Sequence, residues 1–209
     1  MIPAYNESDV EYAMDNLGAA LDYSVNFLNV RGQEFLDLFI VSGIADEFSN
    51  GNPRYIFGMT GRNLAEEVFS LCGKQFNETE FEINGDYSQE YWCGWVLAYY
   101  QWKTGIPFKK VLSVLTYDVL KKSYGVLHEA DISKAVSVYD TIVKSETFLA
   151  RMRKKRGLSQ SVLAKASGVS IRSIQLYEQR KNNINKAQYD NLKNIAQALN
   201  CKIEDILEY

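Results

Sequence analysis

The chain has 209 residues, 46% of them hydrophobic and 23% charged, with a formal net charge of −3. This is the composition of a soluble globular protein with room for one large or two modest domains. No apolar run reaches the roughly 18 residues of a membrane span, because FLDLFIVSGIA (35–45) is interrupted by Asp37 and Gly43. Three scattered cysteines (Cys72, Cys93, Cys201) in no CxxC spacing and a single histidine, His128, argue against a zinc site. The opening MIPAYNESDVEY lacks the basic-then-apolar shape of a signal peptide, so the cytoplasm is the expected compartment.

Charge divides the chain more sharply than hydropathy does. Residues 146–209 hold 12 Lys/Arg against 6 Asp/Glu, a net of +6, and residues 1–145 hold 11 against 20, a net of −9. The basic end carries the electrostatic footprint of phosphate binding, whereas the acidic part would be repelled by DNA. Two domains, 1–145 and 146–209, are expected.

Apolar residues recur at helical steps along the acidic part, with no alternating run for a strand, so the fold class is all-α. A first helix is predicted over 8–29, with Met14, Leu17, Leu21, Val25 and Leu28 on one face, and a second over 32–48 with Phe35, Leu38, Phe39 and Ile44. SNGNPRYIFGMTG (49–61) reads as a loop, 62–72 as a third helix and 73–87 as a polar connection. In SQEYWCGWVLAYYQWKTG (88–105), Trp92, Trp95, Tyr99 and Trp102 share one helical face, flanked by Tyr91 and Tyr100. Two readings follow. The helix is the central core helix of its domain, or Tyr91, Trp92, Trp95, Tyr99 and Trp102 form a partner or ligand surface. Base stacking fits poorly in an acidic domain.

Shorter helices are predicted at 107–114 and 116–123, and a last one at 131–144. His128, Glu129 and Asp131 are the only acid–base cluster; placed just before a helix, they are expected to be structural. There is no GxGxxG or Walker A sequence, and GMTG (58–61) is too short to cradle a phosphate. No catalytic residue, metal ligand or cofactor is assigned, and the chain is read as a non-enzyme.

Beyond the short link Ser145-Glu146-Thr147, Thr147 is placed to cap a basic helix, LARMRKKR (149–156). GLSQSVLAKASGVSIRSIQLYEQ (157–179) then has the register of two helices crossing at a tight turn. Small Ala164 permits close approach, Gly168 accepts positive φ, Ser170 caps the second helix, and Leu163, Val169 and Ile174 close the seam. After YEQ the run Arg180-Lys181-Asn182-Asn183 lacks a glycine; an asparagine is expected to take the left-handed position a residue or two later.

These residues resemble the Cro/repressor-type (XRE) helix-turn-helix family. The likeness extends over about 146–209, where LxxIAxAL (192–199) and IEDIL (203–207) are similar to the family's last two helices. It implies a compact five-helix, lambda-repressor-like domain that binds a two-fold symmetric double-stranded DNA operator as a homodimer. In that docking mode Ser170, Ile171, Arg172 and Ser173 sit at base-reading positions, with Gln175 and Leu176 one turn on. Arg172 suits a bidentate contact to guanine, and Ile171 a thymine methyl. Gln160, Lys154, Arg156, Arg180 and Lys181 are assigned to phosphates, and Glu178 to an internal pair with Arg153 or Arg156. An acidic helical domain ahead of such a domain is also similar to antitoxin regulators, which implies an autoregulating repressor with a protein toxin as partner. The alternatives are a repressor with a small-molecule pocket in the aromatic segment, and an interaction module that does not bind DNA.

Overall fold

The computed structural model describes residues 3–75 and 88–209, and among them all regular secondary structure is helical. The chain divides into two compact units, Met1–Ile142 and Val143–Tyr209.

The N-terminal unit is organised around α1 (Val10–Asp22) and α6 (Gln89–Thr104), which pack along each other. Two glycines permit this. A Cβ on Gly94 of α6 would lie 2.4 Å from the Leu17 carbonyl oxygen of α1, and one on Gly18 would lie 3.0 Å from the Tyr91 oxygen. Around this pair stand α2 (Gly32–Val41), α3 (Ile44–Ser49), α4 (Pro53–Ile56), α5 (Gly61–Leu71), α7 (Phe108–Val111) and α8 (Tyr117–Leu127). The rings of Phe39, Phe48 and Phe108 pack edge to face at 5.3–5.8 Å and are fully buried. Edge-to-face geometry sets each ring's positive rim on its neighbour's negative face.

One buried charge in this unit is fully compensated. The Glu90 carboxylate accepts from the Tyr117 hydroxyl (3.0 Å) and the Lys121 ammonium (2.8 Å). Burial alone would raise its pKa, but these hydrogen bonds and one from the backbone outweigh it, and the net shift is downward. Burial in turn pushes the neighbouring Cys93 thiol up to about 12, which makes it an inert core side chain.

The predicted helices survive with altered ends. The first is preceded by a 3₁₀ turn, Glu7–Asp9, and continues into a π-helical turn, Tyr23–Phe27. The single helix predicted over 32–48 is two, because Gly43 takes φ 81° and separates α2 from α3. The predicted loop 49–61 contains α4, started by the Asn52 side chain, which accepts from the Arg54 amide, with Pro53 at its first position. Of the segment 107–114 only Phe108–Val111 is α-helical. The polar connection predicted at 73–87 falls largely on 76–87, outside the described residues. No helix among the described residues is long and apolar enough to cross a membrane.

Helix α9 (Ile132–Lys144) spans the boundary between the units. The C-terminal unit comprises α10 (Phe148–Lys155), α11 (Gln160–Ser167), α12 (Ile171–Glu178), α13 (Tyr189–Ala198) and the short 3₁₀ turns Ile184–Lys186 and Ile203–Asp205. The expected fifth helix is thus a single turn. Thr147 caps α10 by accepting from the Ala150 amide, as the sequence predicts. Leu149, Leu163, Val169, Ile174, Ile195 and Leu199 lead one small core.

Candidate nucleic-acid interface

Two capped helices and a three-residue turn build the site. Ser159 starts α11 by accepting from the Val162 amide (3.1 Å), and Ser170 starts α12 by accepting from the Ser173 amide (3.0 Å). Each cap satisfies one of the otherwise free amides of a first turn. Between them Gly168 takes φ 68°, with open space where a Cβ would stand, so its requirement is conformational rather than steric. Leu163 and Ile174 are fully buried and Val169 nearly so, while Ala164 packs partly buried against the same core.

An ion pair locks the other end of α12. Arg153 of α10 donates Nε to Glu178 Oε1 (2.6 Å) and Nη2 to Oε2 (2.9 Å), and its Nη1 donates to the Leu158 carbonyl (2.7 Å). Gln160 Nε2 donates to Glu178 Oε2 (2.8 Å). The charged side chains are 11% and 7% exposed, and the contact to Glu178 raises the Arg153 pKa despite burial. The network joins α10, the start of α11 and the end of α12. Of the two partners the sequence allows for Glu178, the structure selects Arg153.

The turn after α12 departs from expectation. Arg180, not an asparagine, takes the left-handed conformation at φ 54°. Its amide donates to the Tyr177 carbonyl (3.0 Å) and the Lys181 amide to that of Leu176 (2.9 Å). These are the two bonds of a Schellman ending, which fixes the left-handed residue one place after the cap whatever side chain stands there.

With both ends fixed, α12 leaves its first turn outward. Ser170, Ile171 and Arg172 are exposed; Ser173, Gln175 and Leu176 are half-buried. Ile171 shows 44% of its surface beside Arg172. Arg172 has no hydrogen-bond or ion-pair partner among the described residues. Lys181 is likewise exposed and unpaired, whereas the other residues assigned to phosphates have internal partners. Lys154 pairs with Glu146, and Gln160 with Glu178. Arg156 donates to the carbonyls of Leu199 and Asn200 (2.8 Å each), closing the end of α13. Arg180 reaches Glu208 (3.2 Å). Glu208 also accepts from the Phe148 amide (2.7 Å), so it ties the tail to the start of α10. Sequence reasoning misses Glu208, since no local pattern marks a tail carboxylate as the cap of a helix 60 residues earlier. Lys155 of α10 and Lys165 of α11 are exposed as well.

The aromatic residues of α6 divide. Tyr91, Trp92 and Trp95 line a cavity of about 290 Å³. Trp102 belongs to the core instead: it is 3% exposed, its Nε1 donates to the Tyr5 carbonyl (2.9 Å), and its own carbonyl accepts from the Ala4 amide (2.9 Å). The N-terminal residues cover it, so it is no part of an accessible surface. Tyr99 rests against Trp102 at 5.5 Å, outside the cavity lining.

Residues 149–206 match the helix-turn-helix family model, of the Cro/repressor (XRE) type. The match lies wholly within the C-terminal unit and supports a DNA-binding role for that unit. No curated protein and no solved structure matches the chain.

Proposed function

We propose that the chain is a sequence-specific regulator that reads double-stranded operator DNA through the first turn of α12. One observation carries the reading: Arg172, exposed and without a partner among the described residues, stands beside exposed Ile171 on the first turn of a helix whose far end is anchored by Glu178. An unpaired guanidinium keeps all its donors for the O6 and N7 of guanine, and the isoleucine supports it by suiting a thymine methyl. Ser170, Ser173, Gln175 and Leu176 complete the reading face. Lys181 and, through their remaining donors, Gln160, Lys154, Arg156 and Arg180 position it on phosphates. A homodimer would set two copies of α12 about 34 Å apart, one turn of the duplex.

The test is binding of the full chain to a site selected from random duplexes, read by fluorescence anisotropy. Arg172→Ala is expected to weaken the selected site by about 1–3 kcal/mol, roughly 5- to 150-fold, while non-specific affinity changes little. Unchanged sequence preference would refute the assigned readout. Sedimentation of the protein with and without the duplex tests the homodimer.

For the acidic unit two readings stand. An autoregulating antitoxin-like repressor that holds a protein toxin rests on the sequence resemblance alone. A regulator with a small-molecule pocket has an observation of its own, the cavity at Tyr91, Trp92 and Trp95, and is favoured for that reason.

A further inference from the structure

The cavity in the N-terminal unit has one wall of aromatic rings and one of aliphatic side chains. Tyr91, Trp92 and Trp95 of α6 face Leu127 at the end of α8 and Ile132 and Ala135 of α9. Its rings are held before any ligand arrives. Trp92 meets Tyr124 edge-on at 5.5 Å, Tyr124 stacks on His128 at 4.3 Å, and His128 Nδ1 bonds the Tyr124 carbonyl (2.7 Å). The Tyr91 hydroxyl donates to Asp15 Oδ1 (2.8 Å), which fixes that ring at the rim.

Apart from the titratable His128, the one charge lining this cavity is the Asp15 carboxylate. Asp15 lines the mouth and has no ion-pair partner among the described residues, and no Lys or Arg is among the lining residues. The surrounding 145 residues carry a net −9. A cation is attracted both by the faces of Trp and Tyr and by a nearby carboxylate, while an anion is repelled by both. The volume, about 290 Å³, lies near the low end for small-molecule sites. It suits a ligand of one ring and a compact head, not a peptide.

We propose that this cavity binds an amphipathic organic cation, its apolar body between Trp92, Trp95 and the aliphatic wall and its ammonium head at the rim beside Tyr91 and Asp15. Ile132 and Ala135 stand on α9, the helix that runs on to Lys144 just ahead of α10. A ligand seated against them bears on the segment leading into the DNA-binding unit. The binding site stands on the cavity alone, and its effect on DNA rests on the ligand-responsive reading above.

The test uses the full chain and three probes of nearly one size: benzyltrimethylammonium, its uncharged carbon isostere 2,2-dimethylpropylbenzene, and benzenesulfonate. Tryptophan fluorescence reports binding, since Trp92 and Trp95 line the site. Saturable one-to-one quenching by the cation is expected, with the isostere about tenfold weaker and no binding of the sulfonate. Asp15→Asn should weaken the cation about threefold and leave the isostere unchanged. Ala130→Trp, at the half-buried rim, should block the cation with its melting temperature preserved. If that variant unfolds, Trp95→Leu replaces it, with at least a fivefold loss expected and the signal read from Trp92. Equal affinity for cation and isostere, binding of the sulfonate, or no saturable binding would each overturn the proposal. Anisotropy of the selected duplex with and without the cation separates the two levels. Cation binding with unaltered DNA affinity upholds the site and sinks the ligand-responsive reading.

Discussion

Removing the Glu178 carboxylate strands a buried guanidinium in the C-terminal unit. In Glu178→Ala the Arg153 guanidinium, 11% exposed, is left without both of its short hydrogen bonds to the carboxylate, and the Gln160 amide without its acceptor. Breaking a buried pair from one side costs about 3–5 kcal/mol, because the remaining charge stays desolvated without compensation. A unit the size of Val143–Tyr209 has a total stability of roughly 3–10 kcal/mol, so the variant should populate open states heavily. In backbone hydrogen exchange by mass spectrometry, amides of α10–α12 should exchange roughly 140- to 4000-fold faster. Glu146→Ala is the matched control. It removes the same charge from the Lys154 pair, whose side chains are 61% and 30% exposed, and should cost no more than about 1 kcal/mol. Replacing both partners, Arg153→Met with Glu178→Leu, should recover part of the loss, since an apolar pair leaves no stranded charge. An increase below tenfold in Glu178→Ala, or one equal to that of Glu146→Ala, would refute the claim that this network holds the recognition helix.

Two glycine substitutions should fail for different reasons. Gly168→Ala meets open space and suffers only the left-handed backbone, about 1–2 kcal/mol, with Gly168→Asn milder; hydrogen exchange of α11 and α12 measures both. Gly94→Ala places a Cβ 2.4 Å from the Leu17 carbonyl oxygen and must push α1 from α6. It should lower stability by about 1–3 kcal/mol or more in denaturant titrations read by tryptophan, and a neutral result would contradict the close crossing. Glu90 sets an acid limit: its folded pKa is below the usual 4.5, so its contribution is complete above pH 4.5 and is lost as pH falls below it. Glu90→Gln should therefore flatten the fall in stability on the acid side, and an unchanged pH profile would show the carboxylate to be uncoupled.

What the sequence makes legible follows the range of the interactions involved. The caps Thr147 and Ser170, the turn glycine and the seam of Leu163, Val169 and Ile174 all act within a few residues, and each stands where its spacing places it. Breaks escape notice where one residue overrules a long periodic pattern, as Gly43 does between α2 and α3. Side-chain preference points to an asparagine for the left-handed place after α12, but the two Schellman bonds dictate it and put Arg180 there. Helical periodicity sets Trp92, Trp95, Tyr99 and Trp102 on one face. It cannot show that residues near Tyr5 cover Trp102, a hydrogen bond spanning 97 positions. Nor can it show Gly94 against Leu17, since a close crossing needs both helices placed.

The same limit bears on the cations. A sequence shows twelve in the basic end and a net of +6, but salt dependence counts only those that displace counterions from phosphates. Arg180 and Lys181 are neighbours of equal formal charge, and the sequence suits both to phosphates. Arg180 is held by Glu208, a carboxylate that also fixes the start of α10, whereas Lys181 is exposed and unpaired. Lys181→Ala should therefore reduce the slope of log K against log salt by about 0.9 for each phosphate no longer neutralised, or about 1.8 for a dimer, with sequence preference unchanged. Arg180→Gly removes the same charge and keeps the left-handed turn without a Cβ penalty. Because the Glu208 carboxylate offsets the Arg180 charge even where its remaining donors meet a phosphate, its slope should change by less than half as much. Equal slope changes would mean that the Glu208 pair opens on binding and that net charge, not pairing, governs how this unit meets DNA.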